Sequence, residues 1–381
     1  MKAWPKVALG ELLYRSDESA VLDPAAEYHE VTIKLWGKGI VSRGKVRGSD
    51  VVSVRRVVRA NQLILSKIDA RNGAIGLVPQ ELDGAIVSND FPSFGFRDLD
   101  RCDAAFMGWL VRSSPFVELC KAASEGTTNR VRIKEERFLD QQIALPPLAE
   151  QQALVARLDA LAEKTRQVET HLDAVERDAE HLIRGYIFGR QGERPAKRRL
   201  SALVSQRQPD VAVDGTTQYR FAGVYSFGRG VFPSAIKMGS EFAYQRLSIV
   251  RAGDFIYPKL MAWEGALGVV PPECDGMVVS PEFPVFTVNT EAVLPEVLDI
   301  YFRTPDVWPT LAEISGGTNA RRRRLQPAAF LSYEMPVPPM VKQLELRAIY
   351  QHVLALRTKH AAIREANAAL LPATLERAFK T

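Results

Sequence analysis

Two long stretches of this chain place apolar residues at alternating steps of four and three. The first runs through Leu154, Leu158, Leu161, Thr165, Val168, Leu172, Val175, Ala179, Leu182 and Tyr186, and no Gly or Pro interrupts it before Gly185. The second runs through Leu346, Ile349, Val353, Leu356, His360, Ile363, Asn367 and Leu370. Such spacing predicts helices with a heptad seam. Each stretch begins just after a Pro-Pro pair, Pro146-Pro147 and Pro338-Pro339. Proline stops a helix arriving from upstream but suits the first turn of a new one. A helix of about 36 residues is about 54 Å long and cannot bury an apolar stripe by itself. The seams therefore predict that the two helices pair. Chain order makes that pair antiparallel, a strut between two globular heads; the other reading is two helices that each pack on their own module.

The rest of the chain has a different texture. Runs such as QLILSKI, GAIGLV, GAIVS and SIVRAGDFIY are short, apolar and β-branched, and Gly or Pro separates them. They read as short strands and turns, with helical stretches at 101–123 and 294–304. This part is also duplicated. Residues 67–94 and 259–286, aligned without gaps, are identical at 15 of 28 positions, including Lys67/Lys259, Gly73/Gly265, Asp83/Asp275 and Phe91/Phe283. Unrelated segments of ordinary composition would agree at about two. Tyr28, Gly37, Gly39, Gly48 and Ser49 recur as Tyr219, Gly228, Gly230, Gly239 and Ser240, and FLDQQIALPPLAEQ at 138–151 is answered by FLSYEMPVPPMVKQ at 330–343. The predicted class is α+β: two globular α/β domains in pseudo-twofold repeat, separated by two long helices that form an antiparallel coiled coil. The predicted order is domain 1–146, helix 147–190, domain 191–337 and helix 338–381.

Composition changes the picture only a little. With 381 residues, 46% apolar and 25% charged, the chain has the make-up of a globular protein of two or three domains. A net charge of +5 suits a polyanionic partner without requiring one. Cys102, Cys120 and Cys274 are too few and too scattered for a disulfide framework. No membrane span or signal-peptide run is evident, so the expected compartment is the cytoplasm. No P-loop, HExxH or other metal-ligand spacing occurs, and no carboxylate cluster stands apart from ordinary helix faces. No catalytic motif is found, and a metal site is not expected.

Three duplicated segments carry candidate chemistry. Lys67 and Lys259 each stand six residues before a glycine turn, as a phosphate ligand would, or as a solvated lysine beside a structural turn. The residues that follow differ between copies, Arg71 and Asn72 against Trp263 and Glu264, and Arg and Asn can read base edges. Further on, Thr127, Thr128, Asn129, Arg130 and Arg132 are matched by Thr318, Asn319 and the run Arg321, Arg322, Arg323, Arg324. A basic cluster at the same place in both halves favours nucleic acid over a merely solvated loop. The segments at 36–50 and 227–241 combine Trp36 or Phe227 with glycines and with Lys38, Arg43 or Arg229. They fit a DNA-facing hairpin, or one whose aromatic residue belongs to the core.

The layout as a whole resembles the specificity subunit of a Type I restriction–modification system. The resemblance rests on the opening WPKVALGELL, the junction IALPPLAEQQALVARLDAL at 143–161, its echo MPVPPMVKQ, and the closing LLPATLERAF at 370–379. It implies two target-recognition domains that read the unlike halves of a bipartite, asymmetric site in double-stranded DNA. It further implies that the helices act as a ruler for the unread spacer and as a docking surface for two adenine methyltransferase subunits. In a full complex, restriction or motor subunits would join them. S-adenosylmethionine, ATP and Mg would be held by those partners and not by this chain. A Type II-like relative fits the same residues. From another class, a coiled-coil adaptor joining two copies of a protein ligand also fits, and it would show no salt-dependent binding to DNA.

Overall fold

The computed structural model describes residues 4–126, 131–189, 195–317 and 323–380. It is a mixed α/β structure containing two long helices, Leu148–Phe188 and Met340–Phe379. The chain divides into two compact units, Met1–Thr170 with Ala362–Thr381, and His171–Ala361. Each unit thus holds one globular module and a part of both helices.

In the first unit one sheet has the strand order Leu13–Ser16, Ser93–Phe96, Leu63–Leu65, Ile75–Leu77, all antiparallel. A second sheet has the order Ile40–Arg47, Glu27–Ile33, Ile86–Val87, Arg56–Val57. Its one parallel pairing sets Glu30 against Ile86, beside a bulge between Glu30 and Val31. Alternation along these strands sends Leu63 and Leu65 to one core and Ile64 to the other, so one strand serves two layers. The larger core is aromatic, with Phe94 and Phe138 ring centroids 5.4 Å apart, and it takes in Leu158, Leu375 and Phe379 from the long helices.

The second unit repeats this plan. Val204–Arg207, Val285–Val288, Phe255–Ile256 and Gly268–Val269 form the first sheet in the same order. In the other sheet Phe221 pairs parallel with Val278, again beside a bulge. This sheet gains an edge strand, Val211–Ala212, which the first unit reduces to a single bridge between Ser19 and Arg56. Phe286 and Phe330 pack at 5.0 Å, and Ile183, Ile187, Leu346 and Val353 of the long helices join their core.

Within each unit the two long helices run antiparallel. In the first, Asn367 donates to the Thr165 carbonyl at 3.0 Å while Arg364 pairs with Glu169 at 2.6 Å. In the second, His360 meets Glu176 at 2.7 Å and Arg357 meets Glu180 at 2.5 Å. In both cases the partner number falls as the helix advances.

The seam corrects part of the sequence reading. Leu158, Leu172 and Val353 are buried, and Leu154, Leu161, Val175, Ile349 and Leu356 are partly buried, as the heptads predict. Val168, Ile363 and Leu370, however, are 37–46% exposed, as is Leu182. Their next neighbours Glu169, Arg364, Leu371 and Ile183 face inward instead. The reason is the helix period. At 3.6 residues per turn a strict seven-residue repeat drifts by about 20° per heptad, so after a few heptads the contact line moves on by one residue. Apolar lettering cannot reveal the step, because Leu370-Leu371 and Leu182-Ile183 offer an apolar residue in either frame.

Candidate nucleic-acid interface

Each module brings its candidate lysine, its hairpin tip and the described end of its third segment together around one tight turn. In the first unit the chain leaves strand Leu63–Leu65, passes Lys67, and forms a short 3-10 turn at Ala70–Asn72 that ends on Gly73. Gly73 has φ +76°, which an L side chain tolerates poorly, and a Cβ there would lie 3.1 Å from the Trp36 backbone. The tip of the hairpin formed by Glu27–Ile33 and Ile40–Arg47 sits on this turn. Trp36 donates its N–H to the Asn72 carbonyl at 2.9 Å, and Gly37 donates to the Gly73 carbonyl at 3.0 Å.

The second unit has the same clasp: Phe227 donates to Glu264 at 2.8 Å and Gly228 to Gly265 at 3.0 Å. The aromatic at each tip is in the left-handed region, φ +60° for Trp36 and +63° for Phe227. For a bulky residue this costs about 1–3 kcal/mol and persists only where the surroundings impose it. Here the paired backbone hydrogen bonds do so. Trp36 is 68% exposed and Phe227 64%, so these rings are not core residues and that sequence reading falls.

An arginine lies beneath each tip. Arg112 packs against Gly37 and lies 4.5 Å over the Trp109 ring, and burial holds its guanidinium below the usual arginine range. Arg303 packs against Gly228 and Gly230 and pairs with Asp299 at 2.9 Å. Neither arginine stands out in the sequence; their positions 191 apart are the available signal.

The lysines have partners within the chain. The Lys67 ammonium lies 2.8 Å from Glu135, which also binds Arg15, and the Lys259 ammonium donates to the Pro281 carbonyl at 2.9 Å. Their backbones join the third segment: Ile133 donates to the Lys67 carbonyl and Leu325 to the Lys259 carbonyl, each at 2.8 Å. Just before these contacts Arg132 pairs with Asp90 at 2.8 Å and Arg324 with Glu282 at 2.9 Å. Asn72 lies 3.4 Å from the Asp69 carboxylate, and Trp263 donates its indole N–H to Leu260 at 3.0 Å.

Lys38, Arg43 and Arg229 are exposed and Arg71 and Arg323 half-buried, and none of the five makes an ion pair among the described residues. The Arg229 guanidinium lies over the Tyr225 ring at 4.7 Å. Thr127, Thr128, Asn129, Arg130, Thr318, Asn319, Arg321 and Arg322 lie outside the described residues. Among the described residues no group of three His, Cys, Asp or Glu side chains is placed to hold a metal ion.

The modules differ beside the clasp. Phe221 makes the parallel pairing that Glu30 makes in the first unit, where the Glu30 side chain pairs with Arg55 at 3.2 Å. With Phe242, Tyr244, Phe283 and Lys237 it lines a cleft of about 240 Å³.

Compared with solved structures, the chain matches the HsdS subunit from Thermoanaerobacter tengcongensis at a TM-score of 0.58 and 21% identity, over 100% of this chain and 97% of that one. The chain has the HsdS fold. A chain from a structure of complex assembly and conformational transition in the type I R-M system matches at a TM-score of 0.66 and 21% identity, over 100% of this chain and 98% of that one. No family model matches, and no curated protein matches in sequence. In this chain both repeats carry the clasp, so they present unlike side chains from a common frame.

A pair of residues missed in the sequence holds the long helices to this frame. Gln151, fully buried, accepts the Asp103 N–H at 2.9 Å and donates to the Arg101 and Pro146 carbonyls at 2.9 and 2.8 Å. Gln343, 192 positions on, accepts the Leu294 N–H at 2.8 Å and donates to the Pro338 carbonyl at 2.8 Å. These are the closing glutamines of the two Pro-Pro junctions, which explains why that lettering recurs.

Proposed function

We propose that this chain is the non-catalytic specificity subunit of a Type I restriction–modification complex, binding double-stranded DNA through both modules. The observation that carries the reading is the repeated clasp, which holds unpaired cations and unlike neighbouring side chains in a common frame. Lys38 and Arg43 in one module, and Arg229 and Arg323 in the other, supply phosphate affinity that falls with salt. Arg71 and Asn72 against Trp263 and Glu264 supply different base contacts, so the two half-sites are unlike.

The long helices set the unread spacer and dock two adenine methyltransferase subunits. Exposed apolar residues on these helices, among them Leu182, Leu354, Ile363 and Leu370, are suited to that contact. S-adenosylmethionine, and ATP and Mg where restriction subunits join, belong to the partners. No described helix is long and apolar enough to cross a membrane; the proposed compartment is the cytoplasm.

The test is to express the chain with its methyltransferase partner and map methylated adenines in genomic DNA. A bipartite, non-palindromic motif is expected. A palindromic motif, or a complex that duplex DNA fails to retain in a salt-dependent way, overturns the reading and favours a protein adaptor.

A further inference from the structure

Trp36 and Phe227 are not used by the contacts assigned so far. Non-glycine residues with positive φ are three among the described residues: Trp36, Phe227 and Asn61. Asparagine accepts that backbone readily; tryptophan and phenylalanine do not. Two strained aromatics at equivalent places in two repeats, both mostly exposed, add little to the cores. Trp36 and Phe227 belong to none of the buried clusters, and the Phe227 ring is tilted against Trp308 with centroids 6.2 Å apart. A smaller, left-handed-tolerant residue would make the same two backbone hydrogen bonds with less strain.

Each ring stands at the tip of a two-stranded ribbon, an element the major groove of DNA admits. Two positions further on is an exposed cation free of ion pairs, Lys38 or Arg229. We infer that Trp36 and Phe227 are base-contacting residues, each packing its ring against a nucleobase in its own half-site while Lys38 or Arg229 meets the adjoining phosphate. The inference rests on the DNA-binding reading above. It adds that the clasp exists to hold an aromatic outward, and that Trp in one module and Phe in the other help to distinguish the half-sites.

The experiment uses the assembled methyltransferase complex with two duplex probes of equal length, one carrying the mapped motif and one lacking it. The variants are Trp36→Asn, Phe227→Asn and Phe227→Trp. Either Asn substitution should leave the melting temperature equal or higher, because Asn fits the left-handed backbone. It should weaken binding to the motif duplex about tenfold or more, the worth of one base pair's contacts in a specific site. The slope of affinity against salt should stay as in the wild type, since no phosphate contact is removed. Phe227→Trp should retain most of the affinity.

Wild-type affinity in both Asn variants overturns the inference. So does a lower melting temperature with equal loss on both duplexes, which marks a structural role. Loss of the methyltransferase subunits from the complex also overturns it, placing the rings on a protein partner. If the wild-type complex itself prefers neither duplex, the DNA-binding reading fails first, and that result is distinct from the other three.

Discussion

The side-chain oxygen of Gln151 accepts the backbone N–H of Asp103 at 2.9 Å, across 48 positions of sequence. Asp103 in turn caps the helix Ala104–Leu110, its carboxylate accepting the Phe106 N–H at 3.1 Å. One buried amide thus ties the first turn of a long helix to the start of a module helix. Gln151→Ala removes three hydrogen bonds and leaves their buried partners unmatched, so it should cost about 2–4 kcal/mol of stability. Urea denaturation followed by circular dichroism will show a lower midpoint at unchanged slope. A midpoint equal to the wild type would mean that water replaces the amide.

The three cysteines are all buried, and burial pushes the Cys102 and Cys120 thiols up to about 12 and also raises Cys274. Thiolate is the nucleophile, so native protein at pH 8 should resist iodoacetamide, and three alkyl groups should be added only after denaturation. The sign for stability follows from linkage. Unfolded thiols ionise near their ordinary value of 9.0 and the folded ones near 12, so the contribution is complete below pH 9 and lost as pH rises toward 12. Mass spectrometry counts the adducts, and rapid native labelling at pH 8 would contradict the burial.

Arg71 and Lys38 should behave differently on DNA. Arg71→Ala should relax base preference in one half of the motif by about 1–3 kcal/mol and leave the other half unchanged. Lys38→Ala should weaken binding to all duplexes alike and reduce the salt slope by about one. Titrations against duplexes altered in one half at a time separate the two. Equal loss at both halves from Arg71→Ala would argue against module-specific reading.

Asn367 donates to the Thr165 carbonyl at 3.0 Å and to Glu169 at 2.7 Å, inside a seam that heptads would fill with apolar residues. Polar seam residues fix register at a cost in stability. Asn367→Leu should therefore stabilise the protein by about 1 kcal/mol, since Glu169 keeps Arg364. Calorimetry checks the direction; a lower melting temperature would show that the hydrogen bonds outweigh apolar packing there.

Much of the architecture was legible in the residues themselves. The Lys67–Phe94 repeat marked two modules of one fold, and the structure builds each around a four-stranded sheet of the same order. Gly73 and Gly265 marked tight turns, and both adopt the left-handed backbone that glycine takes without strain. The antiparallel pairing followed from two seams and chain order. The candidate site was legible in outline only. Its three segments were identified separately, and Lys67 drew attention for a charge that Glu135 already matches.

Periodicity, turn chemistry and duplication are properties of neighbouring residues, so the sequence by itself determined the repeat, the α+β class and the two helices. Tertiary structure decided the rest, because each point depends on groups brought together from distant parts of the chain. It turned Val168, Ile363 and Leu370 outward, since a 3.6-residue period outruns a seven-residue repeat. It paired Lys67 with Glu135, 68 positions away, where opposite charges meet in a half-buried setting. It also set Trp36 on Asn72, holding an aromatic ring in solvent by backbone hydrogen bonds that no lettering records.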